Sequence, residues 1–354
     1  MRCEDDHCWG AEQLAAAANG TWHTAPPPQW YANAVISSMG YLPLVPSPAV
    51  FVATTAPHCA RHLRIKPKGT WDSHTILSQN WNKFAGAIVE HPVEGLPESF
   101  PQLVVKDGMQ ALIEVGIAAR KRFRGKVVGV TGSVGKTTTC DLLRYVLEAS
   151  GQVFATYASH NNKIGVPSVF ASIPATADYA VLEMSIPSFD MLGGSSSQYL
   201  NPHVAMVTQI SEAHLDQWKT LENVARMKSR ILNGVLPGGY AVINNDMPWN
   251  EYFMQVAKEN SLQIITYGTQ EKSMVRLLHV DAAGMRFCYG GKERATTMSA
   301  FGKHAAMNAC GAIAVLLALG LDIDSHLDRI ASFRPSRGGA TSCRRPLTGK
   351  TSPS

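Results

Sequence analysis

The amino-acid sequence predicts an α/β fold, with a central domain built on a mostly parallel sheet flanked by helices and a smaller N-terminal α/β domain. From Lys126 onward, short apolar strand candidates alternate with amphipathic helix candidates, as in a parallel sheet with helices on both faces. Some strand candidates are continuously apolar, such as 180–182, which is expected where both faces of the sheet are covered. A glycine-rich turn at 132–135 joins one strand to the next helix, and this layout is typical of a phosphate-binding loop.

Length, charge and cysteine content limit the class of protein. The 354 residues are long for one domain and predict two or three. The net charge of +5 is mild and the basic residues are scattered, so we expect no nucleic-acid partner. The longest apolar run, 309–321, is too short to span a bilayer, and the N-terminus does not resemble a signal peptide. Seven cysteines without a CxxC pair favour a reducing compartment, so we expect a cytoplasmic protein, and we expect a monomer.

The N-terminal domain is predicted to cover residues 1–106. This part is rich in Pro, Trp and His and offers only short strand candidates, at 50–53 and 85–89. Residues 107–122 carry apolar side chains at helical spacing and are predicted to form the helix that opens the central domain, 107–335.

The elements of the central domain follow from alternating apolar periodicities and turn residues. Gly151, for example, is predicted to stop the helix that begins at Lys136. A hairpin is predicted late in the domain, with strands 277–280 and 285–289 around Ala283-Gly284. The other predicted strands are 126–131, 153–157, 180–184, 204–208, 240–244 and 264–267, and the predicted helices are 136–150, 221–232 and 305–319.

The phosphate-binding loop is the most informative segment of the sequence. Backbone N–H groups in such a turn, together with a helix N-terminus, hold phosphate oxygens. We expect Lys136 to reach the terminal phosphates and the Thr137 hydroxyl to bind magnesium. The strict pattern has Gly at position 130, where this sequence has Val, and an ordinary strand–turn–helix is the alternative interpretation.

Further polar side chains lie close to predicted strand ends, where parallel sheets bind ligands. Glu183 lies at the end of one strand, and its carboxylate is predicted to hold magnesium directly or through water. Taken one at a time, such residues are also compatible with ordinary solvated or turn positions. The other candidates are His214 after the strand 204–208, Asn161 and Asn162 in a loop, and Lys228 on the helix 221–232.

Taken together, these segments resemble the Mur ligases, the ATP-dependent amide-forming ligases of peptidoglycan synthesis. The resemblance extends from about residue 51 to residue 337. It fits best the branch that adds D-alanyl-D-alanine to UDP-N-acetylmuramoyl-tripeptide, and these two molecules are the substrates that it implies. The matching motifs are, in chain order, Thr131-Gly132-Ser133-Val134-Gly135-Lys136-Thr137-Thr138, Asn161-Asn162-x-Ile164-Gly165-x-Pro167, Glu183, His214-Leu215-Asp216, Lys228 and Gly302-Lys303-His304-x-x-x-Asn308.

The resemblance implies a mechanism and a role for each motif. ATP would transfer its terminal phosphoryl group to a substrate carboxylate, and an amine would then attack the acyl phosphate. In the family the lysine matching Lys228 is carbamylated, which would make it carboxylate-like and able to orient a second metal ion. The implied roles are ATP binding by Gly132, Ser133, Gly135, Lys136, Thr137, Thr138, His304, Asn308 and Arg337, Mg²⁺ binding by Thr137, Glu183 and His214, substrate binding by Asn161 and Asn162, and catalysis by Lys136, His214 and Lys228.

The resemblance ends after Arg337. Family members continue there with a Rossmann-like C-terminal domain that binds the incoming amine, whereas residues 336–354 form an irregular tail rich in Gly, Ser, Arg and Pro. We therefore expect the C-terminal ligase domain to be missing and the chain to bind nucleotide but to ligate poorly or not at all.

Two alternatives to this function stay open. Ala305 stands where the family usually has Asn, and the Thr-Asp-Thr/Ser-Arg signature of the family is not visible at 34–41. A related ligase acting on another carboxylate substrate, such as a folylpolyglutamate or cyanophycin type, is one alternative. A non-catalytic nucleotide-binding remnant is the other. A kinase or GTPase is disfavoured because the sequence has no Asn-Lys-x-Asp segment.

Overall fold

A computed structural model of the chain describes residues 8–64, 66, 69–156, 160–190, 194–212, 220–299 and 302–335. Within these ranges, the strands are β1 (Trp9–Gly10), β2 (Thr21–Thr24), β3 (Tyr31–Ala32), β4 (Ala34–Ile36), β5 (Ala49–Val52), β6 (Gly86–Val89), β7 (Gln102–Val104), β8 (Lys126–Thr131), β9 (Val153–Ala155), β10 (Tyr179–Glu183), β11 (Val204–Val207), β12 (Tyr240–Asn244), β13 (Gln263–Gly268), β14 (Val275–Asp281), β15 (Gly284–Tyr289) and β16 (Lys292–Thr296). The α-helices are α1 (Ala11–Ala18), α2 (Ala56–Leu63), α3 (His74–Asn80), α4 (Gly108–Arg122), α5 (Lys136–Leu147), α6 (Gly165–Ala171), α7 (Ser196–Leu200), α8 (Leu221–Ser229), α9 (Asn250–Glu259), α10 (Lys303–Ala318) and α11 (Leu327–Ser332).

The larger sheet confirms the predicted α/β architecture. Its strand order is β16-β15-β14-β13-β12-β11-β8-β10-β9, and the strands from β14 to β9 are parallel to their neighbours. The predicted hairpin, β14–β15, extends this sheet in antiparallel fashion and is followed by β16. Strand β8 lies in the interior of the sheet, between β11 and β10, so the turn that follows it is surrounded by other strand ends.

Helices cover both faces of this sheet, as the continuous apolar strands predict. Val127 packs into one hydrophobic cluster and the next residue, Val128, into the other, because successive side chains of a strand point to opposite faces. Helices α5 and α10 supply one cluster, and helices α6, α8 and α9 supply the other.

The predicted boundaries differ from the observed ones mainly at helix ends. Helix α5 ends at Leu147 rather than at residue 150, because Ala149 and Ser150 donate to carbonyls three residues back and so tighten the last turn. Helix α8 likewise ends at Ser229 and is followed by a short 3₁₀ turn. The predicted strand 153–157 is observed as β9, and its last predicted residue, Tyr157, lies outside the described residues.

A second, five-stranded sheet is formed by the N-terminal part in the order β2-β7-β6-β5-β4. Strands β4 to β7 are parallel and β2 is antiparallel to β7. Helix α4 packs on this sheet through Leu112 and Val115, and its Gly116 faces Phe170 of helix α6. Helix α4 therefore lies between the two sheets. No helix in the described ranges is both long and apolar enough to cross a bilayer.

Candidate nucleotide and metal site

The predicted phosphate-binding loop lies at the carboxyl edge of the larger sheet. It follows β8, and the ends of the neighbouring strands bring Glu183 of β10 and Thr208, which follows β11, to the same edge. Helix α5 begins directly after the loop, so its first N–H groups have no partner within the helix. An anion is therefore favoured at this point.

Two glycines give the loop its shape. A Cβ atom at Gly132 would overlap the Thr208 hydroxyl oxygen, so only a glycine fits against that side chain. Gly135, the residue before helix α5, has φ +86°, a left-handed conformation that glycine adopts without strain. Glycine is thus favoured at the two ends of the turn for different reasons, close packing at Gly132 and a left-handed backbone at Gly135.

Three successive carbonyl groups of the loop are each engaged by a side chain. Lys228 Nζ donates to the Gly132 oxygen at 2.7 Å and Lys136 Nζ to the Ser133 oxygen at 3.3 Å. The Thr208 hydroxyl donates to the Val134 oxygen at 2.6 Å. Carbonyl oxygens would repel a phosphate, so donors that occupy them make the loop more favourable for an anion.

Glu183 and Thr137 form the oxygen-rich part of the site. The Glu183 side chain is 3% exposed, and its Oε2 accepts a hydrogen bond from the Thr137 hydroxyl at 2.8 Å. The backbone N–H of Glu183 donates to the Thr156 hydroxyl oxygen at 2.9 Å. A hydroxyl and a carboxylate oxygen this close together are ligands that suit a hard cation such as Mg²⁺.

Lys228 is buried beside the loop, with 1% of its surface exposed. The pKa of its ammonium is lowered from 10.5 to about 7, mainly by burial and also by the nearby charge of Lys136, while Glu183 opposes the shift. A large fraction of Lys228 is therefore neutral at neutral pH. Helical periodicity alone is compatible with a solvated face for this residue, and the structure places it in the interior.

The two predicted substrate asparagines have different partners inside the protein. Asn161 Nδ2 donates to Glu183 Oε1. The Asn162 Oδ1 atom accepts from the backbone N–H groups of Ile164 and Gly165, at 3.0 and 2.9 Å, where helix α6 begins. Whether either residue also contacts a substrate stays a prediction.

A small, mostly apolar pocket lies between helices α5, α10 and α11. Asn308 lines it, and its Oδ1 would lie 3.1 Å from a Cβ atom at Gly135, so this pocket adjoins the loop. His304 is exposed on the first turn of α10. The other residues that line the pocket are Thr138, Leu142, Met298, Ala305, Ala309, Ile330, Phe333 and Pro335.

The structure brings most of the predicted site residues together around the loop. His214 and Arg337 lie outside the described residues, as do 336–354, so their positions stay predictions. Thr208 and Thr156 also contact the site, although the sequence patterns predict no role for them. A signal for Thr208 existed, since it is a polar residue at the carboxyl end of the strand beside the loop strand.

The carboxyl edge of the smaller sheet carries two groups of histidines and acids. His74 Nδ1 contacts Asp72, and its Nε2 accepts from the backbone N–H of Glu90 at 2.8 Å. The Glu90 carboxylate accepts from two threonine hydroxyls and a backbone N–H, and Asp107 accepts from Arg61. Because His74 and the carboxylates of Asp72, Glu90 and Asp107 are already hydrogen-bonded within the protein, we interpret the groups as networks that stabilise loops. The groups are Asp72, His74 and His91, and His58, Glu90 and Asp107.

Comparisons with known proteins point to one family. Residues 130–316 match the model of the Mur ligase middle domain. The UDP-N-acetylmuramoyl-tripeptide–D-alanyl-D-alanine ligase of Bacillus subtilis is 33% identical over 271 residues, which are 74% of this chain and 57% of the relative. The enzyme of the same description from Synechocystis is 31% identical over 255 residues, 72% of this chain and 54% of the relative. The chain thus spans somewhat more than half the length of these curated relatives.

Solved structures give the same result for the fold. A crystal structure of MurF from Acinetobacter baumannii superposes with a TM-score of 0.76 and 26% identity, covering 93% of this chain and 69% of that one. MurF ligase from Thermotoga maritima, in complex with ADP, has a TM-score of 0.65 and 21% identity, covering 86% of this chain and 67% of that one. At 21% identity, the similarity to the Thermotoga maritima structure concerns the fold alone.

Proposed function

This chain belongs to the Mur ligase family. We propose that it binds the ATP that drives an amide-forming reaction of peptidoglycan precursor synthesis. The proposed substrates are UDP-N-acetylmuramoyl-tripeptide and D-alanyl-D-alanine, which the names of the two curated relatives contain. The observation that carries the proposal is the cluster of Thr137, Glu183 and Lys228 around a glycine loop.

The loop is the proposed seat of the ATP phosphates. Lys136 and the N–H groups at the start of α5 would neutralise and orient the phosphate oxygens, while Gly132, Ser133 and Gly135 let the backbone approach them. The pocket at Thr138 and Asn308 would take the nucleoside, with His304 at its margin. For Arg337 we propose a phosphate contact, on the resemblance of its motif alone.

Thr137 and Glu183 are the proposed holders of Mg²⁺, because both supply oxygen ligands at one point. When bound, this ion would supply charge neutralisation for the transferred phosphoryl group. His214 is proposed for a second ion, together with Lys228 as a carbamate. The low pKa of Lys228 supports that modification, since only the neutral amine can react with carbon dioxide.

The proposed reaction has two steps. A carboxylate oxygen of the tripeptide attacks the terminal phosphorus, the bond to the bridging oxygen of ADP breaks, and an acyl phosphate forms. The amine of D-alanyl-D-alanine then attacks the acyl carbon, phosphate leaves, and the amine loses a proton. The contribution of Lys136 and the loop is to position the phosphates and compensate their charge, which can account for much of the rate of phosphoryl transfer.

We propose that residues 1–106 and 107–335 are separate domains and that the smaller one receives the UDP-linked substrate. We also propose a cytoplasmic monomer, in keeping with a chain whose described cysteines are all free.

The proposal is tested by nucleotide binding and by product formation. We expect the chain to bind a fluorescent ADP analogue in a Mg²⁺-dependent manner and Lys136→Ala to weaken this binding strongly. Mass spectrometry of mixtures with ATP, the tripeptide precursor and D-alanyl-D-alanine would measure whether the amide product forms, and a panel of other carboxylates would test the related ligases. A wild-type chain that does not bind nucleotide would refute the proposal.

A further inference from the structure

The Asn161 side chain contacts the carboxylate that we propose to hold magnesium. Its Nδ2 donates to Glu183 Oε1, while Glu183 Oε2 accepts from the Thr137 hydroxyl at 2.8 Å. Each oxygen of this carboxylate is therefore bonded to a different side chain. Hydrogen bonds to a ligating carboxylate fix the direction in which it presents its oxygens to a metal.

The backbone of Asn161 is attached to the chain that leaves the same strand. Its carbonyl oxygen accepts from Ser185 N at 2.9 Å and from Ser185 Oγ at 2.6 Å, two residues beyond Glu183. These bonds hold the loop against β10 independently of the Asn161 amide. Removing the amide should therefore leave the loop in place and release only the carboxylate.

The side chain of the neighbouring asparagine, Asn162, has different partners. Asn162 Oδ1 accepts from the N–H groups of Ile164 and Gly165, a local turn contact where helix α6 begins. Only Asn161 of the pair is bonded to Glu183. The contact is therefore specific to one position of the motif.

We infer that Asn161 is a positioning residue, which orients the Glu183 carboxylate toward Thr137 and thereby sets the Mg²⁺ affinity of the nucleotide complex. This inference rests on the proposed function, because it concerns the metal ion that accompanies the nucleotide. It gives Asn161 a role that does not require contact with the peptide substrate.

The test compares the full chain with Asn161→Leu, whose side chain is branched in the same way but has no donor. The dissociation constant of a fluorescent ADP analogue is measured in EDTA and over a Mg²⁺ titration. We expect the affinity in EDTA to be unchanged and the Mg²⁺ concentration at half-maximal effect to rise about tenfold. Asn80→Leu, at a helix end in the smaller sheet's part of the chain, is the matched control and should titrate like the wild type.

The possible outcomes separate the inference from the function on which it rests. An unchanged Mg²⁺ midpoint in Asn161→Leu, or an equal loss of affinity with and without Mg²⁺, would overturn the positioning role. If circular dichroism shows that this variant does not fold, Asn161→Ser, whose side chain is too short to reach Glu183, decides by the same criteria. A wild type without Mg²⁺-dependent binding refutes the proposed function itself, and the inference with it.

Discussion

Gly132 and Thr208 are packed so closely that a side chain on the former would overlap the hydroxyl of the latter. The same hydroxyl donates to the carbonyl of Val134 within the loop. The end of strand β11 therefore shapes the loop from outside, although the two segments are far apart in sequence.

Gly132→Ala should displace the loop from Thr208. The added methyl group would meet the buried Thr208 side chain and the backbone of Gln209, which cannot move aside easily. We therefore expect the free energy of unfolding to fall by about 1–3 kcal/mol. Binding of the ADP analogue should be lost, since the loop N–H groups that would hold the phosphates move with the backbone. Urea unfolding and fluorescence titration measure the two effects. Gly10→Ala is the control, because a Cβ atom there meets nothing within 4 Å; equal behaviour of the two variants would contradict the packing argument.

Thr208→Val should weaken nucleotide binding while keeping the shape of the side chain. The substitution removes the donor to the Val134 oxygen, and the loss of one partly buried hydrogen bond costs about 0.5–1.5 kcal/mol. We expect that cost in urea unfolding together with a lower affinity for the ADP analogue. Thr21→Val, on an exposed position of β2, should change neither. An unaltered affinity in Thr208→Val would show that the hydroxyl does not shape the loop.

Lys228 should make stability depend on pH above neutrality. Its pKa is lowered from 10.5 to about 7, mainly by burial, so between these values the unfolded chain binds more protons than the folded one. The free energy of unfolding should therefore rise with pH in this window, whereas below it the cost of the buried charge is present in full. From about pH 7 to pH 9 we expect the wild type to gain about 2 kcal/mol more than Lys228→Met. Parallel urea curves in buffers free of carbon dioxide measure this, and equal slopes for the two proteins would refute it.

The same neutral amine should react with carbon dioxide. In buffer containing ¹³C-labelled bicarbonate, we expect a carbamate resonance in the NMR spectrum of the wild type and none in that of Lys228→Met. Lys258→Met, which alters an exposed lysine of helix α9, is the control and should keep the signal. A signal that survives in Lys228→Met would assign the carbamate to another lysine.

Local patterns were sufficient for the central sheet. The strand at 240–244 has the predicted bounds, because its apolar run is continuous and ends at asparagines. The pair of glycines around Ser133 likewise predicted the loop and the start of α5, since the helix must begin where the turn ends. These features depend on residues that are near one another in sequence.

Features that depend on distant residues could not be predicted in this way. The burial of Lys228 arises from the packing of helix α8 on the sheet beside the loop, a relationship that helical spacing does not contain. The contact of Thr208 with Gly132 depends on the register between β11 and β8. In the N-terminal part, strands such as β7 have only three residues, too few for periodicity to be recognised.

Helix α4 has a consequence for any attempt to produce the nucleotide-binding part by itself. Leu112 and Val115 of this helix belong to the core of the smaller sheet, while its Gly116 accommodates Phe170 on the opposite side. A fragment starting at residue 107 would keep the second contact and expose the apolar residues of the first to water. Such a fragment should self-associate or precipitate. Replacing Leu112 and Val115 by polar residues should make it soluble and monodisperse.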